Sequence, residues 1–170
     1  MIVFEEQLGR LVEVLPTIQD ANFNSFAINY NWGTEEILNQ YLKLNGKLSF
    51  PLIWLEVGED TNDLREQSVK RQANIIILNE SQAPQEFNPY QYQYDFSLVL
   101  QPIANNLTQA LEQSGISRFD DRNIRTKRVT KYSMRENDKS LIFICNAIVI
   151  NAEITFSNVS SCLQTIQFNN

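Results

Sequence analysis

Histidine is absent from all 170 residues. That omission removes imidazole metal ligands, serine–histidine and cysteine–histidine nucleophile pairs, and the side chain best suited to proton transfer near neutrality. Glycine occurs five times, and no two glycines lie close enough to make a phosphate-cradling loop. Two cysteines, Cys145 and Cys162, are too few for a disulfide framework, and Cys145 sits in an apolar run as a small buried hydrophobe. No apolar run approaches the roughly 18 residues that span a bilayer, so no membrane partner is expected. Glu5 and Glu6 fall inside the first apolar segment, which fits neither a signal nor a transit peptide, and the sequons at Asn79, Asn106 and Asn158 then carry little weight.

What is present describes a soluble globular chain, 43% hydrophobic with a mean hydropathy of -0.29. Its length suits one domain over residues 1–170, with 157–170 a polar C-terminal extension. The net charge of -6 and a pI of about 4.7 argue against a whole-surface affinity for nucleic acid. Asparagine and glutamine together number 33, a surplus that suits polar protein–protein contact and ordinary surface alike.

The organising stretch is Phe50 to Val57, FPLIWLEV. A short, continuous apolar run with Pro51 at its start and Gly58 just beyond fits a strand buried on both faces. Before it, Phe4, Leu8, Leu11, Val12 and Leu15 mark one face of a helix, with Glu5, Glu6, Arg10 and Glu13 off that face and Pro16 ending it. Phe26, Ile28 and Tyr30 alternate as a half-buried strand that leads to a corner at Asn31-Trp32-Gly33. Thr34 is placed to cap a helix whose buried face is Ile37, Leu38, Tyr41 and Leu42, closed by Asn45-Gly46.

After the central run, Gly58 to Glu66 reads as a charged loop holding Glu59, Asp60 and Asp63. A second strand follows, from roughly Ser68 to Leu78, with Val69 and Arg71 on one parity, antiparallel to the first. Tyr92 to Ser114 is the longest helix, carrying Phe96, Val99, Leu100, Ile103, Leu107 and Leu111 on one face, with Gly115 as its stop. Pro102 falls inside it and predicts a kink or break. Thr126, Arg128, Thr130 and Tyr132 share a parity in a polar, exposed strand, and 135–139 is turn material. The last strand is long and starts near Leu141, with Ile148, Ile150, Ala152, Ile154 and Phe156 on one face. The expected fold is α+β, a mixed, largely antiparallel sheet of about four to five strands packed by about three helices.

Two clusters invite a functional reading. Glu59, Asp60 and Asp63 lack the ligand spacing of a calcium loop, so a solvated loop is the simpler account and no metal or other cofactor is expected. Residues 118–139 hold eight of the fourteen basic residues, among them Arg125, Lys127, Arg128, Lys131 and Arg135. They suit either an electrostatic contact with acidic surface on a partner, Glu59, Asp60 and Asp63 of a neighbouring copy included, or a nucleic-acid footprint with Tyr132 as a stacking residue. The acidic remainder of the chain places the protein contact first.

The order of elements, together with FPLIWL at 50–55, FSLVLQPI at 96–103, NAIVINAEITF at 146–156 and the basic strand from Arg125 to Tyr132, resembles the tail-completion and tail-terminator (neck) proteins of tailed bacteriophages and prophages. The resemblance implies a non-enzymatic virion subunit, assembled in the host cytoplasm. It implies a homo-oligomeric ring of about six or twelve copies between head connector and tail tube, or capping the tube. Its partners would be portal or connector and tail-tube proteins, with DNA passing through unread. The alternative from another class is a small nucleic-acid-binding module using residues 118–139. A third is an enzyme with a carboxylate-based site hidden in the fold.

Overall fold

A computed structural model of the chain describes residues 3–19, 24–81, 89–120, 124–132, 145–157 and 164–168. In order these form α1 (Phe4–Glu13), β1 (Ile18–Gln19), β2 (Ser25–Phe26), β3 (Asn29–Gly33), α2 (Glu35–Asn45) and a 3₁₀ turn (Gly46–Ser49). Then come β4 (Leu52–Glu56), β5 (Asp60–Asp63), β6 (Ser68–Glu80), α3 (Pro89–Gln93), a π-helical stretch (Tyr94–Leu100) and α4 (Gln101–Gln113). The chain continues through β7 (Ser117–Phe119), β8 (Arg125–Tyr132) and β9 (Cys145–Ser157). The fold is α+β.

Among the described residues one sheet holds seven strands, more than the expected four or five, and β1 and β2 make a separate two-stranded ribbon. β6 and β9 lie side by side at its centre. β4 and β5 share the far side of β6, β3 lies outside β4, and β8 and β7 share the far side of β9. Only β3 and β4 pair in parallel, which makes the sheet mixed but largely antiparallel.

Strand β4 is buried on both faces, as its composition requires: Leu52, Ile53, Trp54 and Leu55 are all inaccessible to solvent. Ile53 and Leu55 join Ile75, Ile77 and the stripe Ile148, Ile150, Ala152, Ile154 and Phe156 on the first face, beneath α1 and the helix from α3 to α4. Leu52, Trp54, Ile76, Leu78, Cys145 and Ala147 point the other way and pack under Leu38 and Leu42 of α2. The alternating pleat thus builds two cores from one sheet. Part of the C-terminal extension is docked, with Ile166 against the first core and the Gln164 N–H donating to the Ser114 carbonyl at 3.0 Å. Gly115 permits that docking: its φ is +72°, and a Cβ there would lie 2.7 Å from the Gln164 side chain.

Several expectations are corrected. The half-buried strand is Asn29–Gly33 rather than Phe26–Tyr30, so Asn31-Trp32-Gly33 is ladder and not a corner. Ile37 is 46% exposed and Tyr41 only half-buried, because a helix over one end of a sheet buries a narrower stripe than its full apolar face. The presumed loop at Glu59, Asp60 and Asp63 contains β5, hydrogen-bonded to Ser68–Arg71 of β6. A register shift after Val129 sets Tyr132 opposite Cys145, on the second face, whereas Thr126 and Arg128 lie opposite Ile150 and Ile148 on the first. The start of the last strand near Leu141 and the turn at 135–139 lie outside the described residues.

Pro102 acts through hydrogen-bond register rather than by breaking the helix. The turns before it are π-helical, and the Gln101 N–H donates to the carbonyl of Phe96, five residues back. A proline has no N–H of its own and crowds the preceding turn, and a wider turn relieves that crowding. The segment ends with Phe96 and Leu100 fully buried over the sheet. Phe96→Ala or Leu100→Ala is therefore expected to cost about 2–5 kcal/mol in denaturant unfolding. A loss below about 1 kcal/mol would place the helix face elsewhere.

Candidate functional site

The second face is apolar only at the end covered by α2. Along β6 and β9 the same face continues as Asn74, Gln72 and Lys70 opposite Asn151, Glu153 and Thr155. Gln72 and Asn151 reach solvent, and the Gln72 amide donates to Asn151 Oδ1 at 2.5 Å. Lys70 Nζ lies 2.7 Å from Glu153 and 3.7 Å from Asp120, and the hydrogen bond to Glu153, with the two carboxylate charges, holds its pKa above the usual lysine range. Thr155 donates to Asp120, and Arg118 Nε donates to the other oxygen of that carboxylate at 3.1 Å. The polar half-face is therefore a network of near-neutral pairs, which suits recognition by another polar surface better than it suits bond-making chemistry.

At the foot of this face an open cleft of about 480 Å³ lies between Arg65, Glu66, Ser68, Gly115, Arg118 and Ser157. The ion pair across its mouth, Arg118 to Glu66 at 3.9 Å, is two-thirds exposed on both sides. Such a pair contributes little binding energy by itself.

The basic strand β8 is an edge beside the end of the sheet that α2 covers, and its first residue, Arg125, lies level with the start of the polar half-face. Arg125 and Lys127 are exposed there, opposite Asn151 and Val149. Arg128 is turned to the first face, where its guanidinium donates to Gln101 Oε1 at 2.8 Å and lies 5.7 Å from the Phe96 ring centre. Lys131 belongs to the strand, while Arg135 lies outside the described residues. Tyr132 packs against the second core, and burial, with Glu56 and Glu35 adding, pushes its hydroxyl up to about 12. That ring is engaged, not presented for stacking.

The acidic cluster divides. Asp60 accepts two hydrogen bonds from Arg71, at 2.5 and 2.9 Å, and Asp63 accepts the backbone N–H groups of Arg65 and Glu66 that close the β5–β6 turn. Those two turn bonds, Glu66 before Arg65, lower the pKa of Asp63. Glu59 is exposed beside them. β8 and β5 lie on opposite sides of the β6–β9 pair, so one subunit cannot bring the basic strand and the acidic cluster together.

Two buried polar constellations escaped the sequence reading. Arg71 has 3% of its side chain exposed, yet it binds Glu5 at 2.7 Å as well as Asp60, and its guanidinium lies 4.5 Å from the Phe4 ring centre. Burial disfavours its charge, but hydrogen bonds to Asp60 and Glu5 and their charges outweigh that and raise its pKa. Glu5 is thus on the buried face of α1, not off it. The signal was the parity of Arg71, shared with Val69, Ala73 and Ile75. Asp95, also buried, accepts from Asn146 Nδ2 at 2.6 Å and from Asn79 Nδ2 at 3.5 Å. Both carboxylate sites look structural: one fixes α1 and β5 to β6, the other fixes the π-helical stretch to β9.

Arg71→Met leaves Glu5 and Asp60 without their partner, and the expected cost is about 3–5 kcal/mol in chemical denaturation. A cost under about 1 kcal/mol would show that both carboxylates simply turn to solvent. A pH test concerns Cys145, whose thiol burial, reinforced by Glu80, pushes from 9.0 up to about 12. The folded thiol keeps its proton where the unfolded one loses it, so this contribution is whole below pH 9.0 and lost as pH rises toward about 12. In a Cys162→Ser chain, Cys145 is accordingly expected to resist iodoacetamide at mildly alkaline pH until the protein unfolds. No protein-family model matches the chain, and no curated protein matches its sequence.

Proposed function

We propose that this chain is a structural subunit of the neck of a tailed bacteriophage or prophage, which closes into a ring at the head–tail junction or at the end of the tail tube. The observation that carries the reading is β8, an eight-residue edge strand with Arg125 and Lys127 exposed, on a chain of net charge -6. A basic strip on an acidic protein is a site where like copies, or other acidic proteins, are held in one orientation. The motifs behind the resemblance support it by their placement: 50–55 leads into β4, 96–103 spans the end of the π-helical stretch and the start of α4, and 146–156 is β9. In this reading connector and tail-tube proteins cover the ring's ends, DNA passes through its lumen, and the subunit performs no catalysis. No described helix is long and apolar enough to cross a membrane.

Nucleic-acid binding through the same strand is the second reading. It is favoured by Arg125 and Lys127, but Tyr132 and Arg128 are both committed to the fold. Salt-dependent retention on DNA is the measurement that would put it first.

The test of the neck reading combines negative-stain images of the purified protein and of particles with the triple variant Arg125→Glu, Lys127→Glu, Lys131→Glu. Rings and neck density are expected for the natural chain. The variant is expected to fold normally, judged by circular dichroism, and to be lost from particles. A folded variant that incorporates like the natural chain would show that the strand is only solvated surface.

A further inference from the structure

We infer that neighbouring copies join by sheet extension, the β8 edge of one copy adding antiparallel to the β3 edge of the next. This inference rests on the ring reading above and says which surfaces mate. Among the described residues β8 pairs only with β9, and β3 only with β4, so each has an outer edge that no described strand pairs. The two edges bound the same end of the sheet: β3 lies against Leu52–Glu56, which faces Ile75–Leu78 of β6, which in turn faces the part of β9 that β8 covers.

Strand direction supports the match. β3 runs parallel to β4, and β4 to β6, β6 to β9 and β9 to β8 are each antiparallel. β3 and β8 therefore point in opposite directions within one subunit. A copy placed beside another in the same orientation meets its neighbour in an antiparallel ladder, the commoner kind of pairing.

Charge selects this pairing over the symmetric ones. Two β8 edges face to face would set Arg125 and Lys127 against their own kind, and like charges across a ladder are destabilising. β3, Asn29–Gly33, carries no charged residue; Glu56 stands opposite Gly33 at its end, Glu35 and Glu36 follow it in α2, and Asp60 and Asp63 lie farther along that side of the sheet in β5. A basic edge meeting a neutral edge with acidic surroundings is a heterologous interface, the type that generates rings when the rotation between copies closes.

Apolar surface sits at β3 as well. Trp32 is 47% exposed, Val57 53% and Ile37 46%. Ile37 packs on Gly33, where a Cβ would lie 3.1 Å from it, and the Val57 N–H donates to the Gly33 carbonyl at 3.2 Å, so these side chains gather around the end of β3. Burying these side chains supplies what exposed charge pairs do not, while backbone hydrogen bonds fix the register.

Disulfide trapping tests the pairing. In a Cys162→Ser chain, Asn31→Cys is combined in turn with Arg125→Cys and with Lys127→Cys, each oxidised mildly, both as purified protein and in particles. One of the two combinations is expected to give intermolecular ladders, and each chain with only one of the introduced cysteines much less. Glu59→Lys with Thr61→Lys is expected to suppress trapping, as is Arg125→Glu with Lys127→Glu tested with Asn31→Cys and Val129→Cys, and joining both sets of reversals in one chain to restore it. Rings that form without the trapped bond, and that ignore the reversals, overturn the edge pairing and leave the ring reading standing. A monomer in both settings, with no trapped bond, overturns the two together. Efficient trapping of a chain carrying Lys127→Cys as its only introduced cysteine with itself would mean symmetric β8 pairing and also overturn the inference.

Discussion

Thirteen consecutive residue pairs between β6 and β9, from Ser68 opposite Ser157 to Glu80 opposite Cys145, are the constraint on which the rest of the molecule depends. Every other strand of the main sheet pairs directly with one of these two, except β3, which reaches them through β4. A slip of one residue would carry Ile148, Ile150, Ala152, Ile154 and Phe156 out from under the long helix and set Asn151, Glu153 and Thr155 in their place. The same slip would move Ala147 and Cys145 out from under α2. Since both faces are used, and used differently, the register is specified twice.

One buried charge organises the first face at the end away from α2. Arg71 gathers Glu5 from α1 and Asp60 from β5, while Tyr30 of β3 donates to the backbone carbonyl of Glu5 at 2.8 Å. Burial raises the pKa of that tyrosine, with Glu5 adding and Arg71 opposing. Buried ion pairs contribute little net stability, because desolvation offsets their attraction. What this one contributes is position, since two segments distant in sequence, α1 and β5, meet at one guanidinium. Gly58 lets the chain pass close, as a Cβ there would lie 3.1 Å from Arg71 Cδ. At the opposite end Asp95, with Asn146 and Asn79, does the same for the π-helical stretch.

The legible parts of the fold were those with a long or unambiguous period. The run at Leu52–Leu55 reported burial on both faces, the alternation from Ile148 to Phe156 reported one buried face, and Thr34 reported a helix start that its side chain does cap, accepting the Ile37 N–H at 3.4 Å. β5 was illegible because Asp-Thr-Asn-Asp contains residues that strands disfavour, and only the unpaired flank of β6 and the Arg71 contact call for it. β7 and the β1–β2 ribbon are too short to show any period. Pro102 announced a disturbance but not its form, because a change to π hydrogen bonding leaves the apolar spacing nearly intact. The basic strand was visible as composition, whereas Arg128 folding back over Phe96 and Tyr132 entering the second core follow from register and a bulge, which composition does not carry.

Among the described edge strands of the sheet, β8 and β3 are guarded differently, and that difference is where the fold meets its proposed role. An exposed edge invites indiscriminate pairing, and charged side chains, lysine above all, are the usual protection. β8 has that protection in Arg125 and Lys127, so it rejects its own kind. β3 has no charge; its guard is shortness, at five residues, and the Asn31 side chain, whose Oδ1 accepts the Trp32 N–H at 2.9 Å. That bond is local and exchanges for a ladder bond at little cost when a strand arrives. An edge closed by charge and an edge closed by a replaceable side-chain bond are different locks. An extended backbone opens the β3 edge by displacing that bond, and the acidic residues along that side of the sheet favour one that carries positive charge, as β8 does.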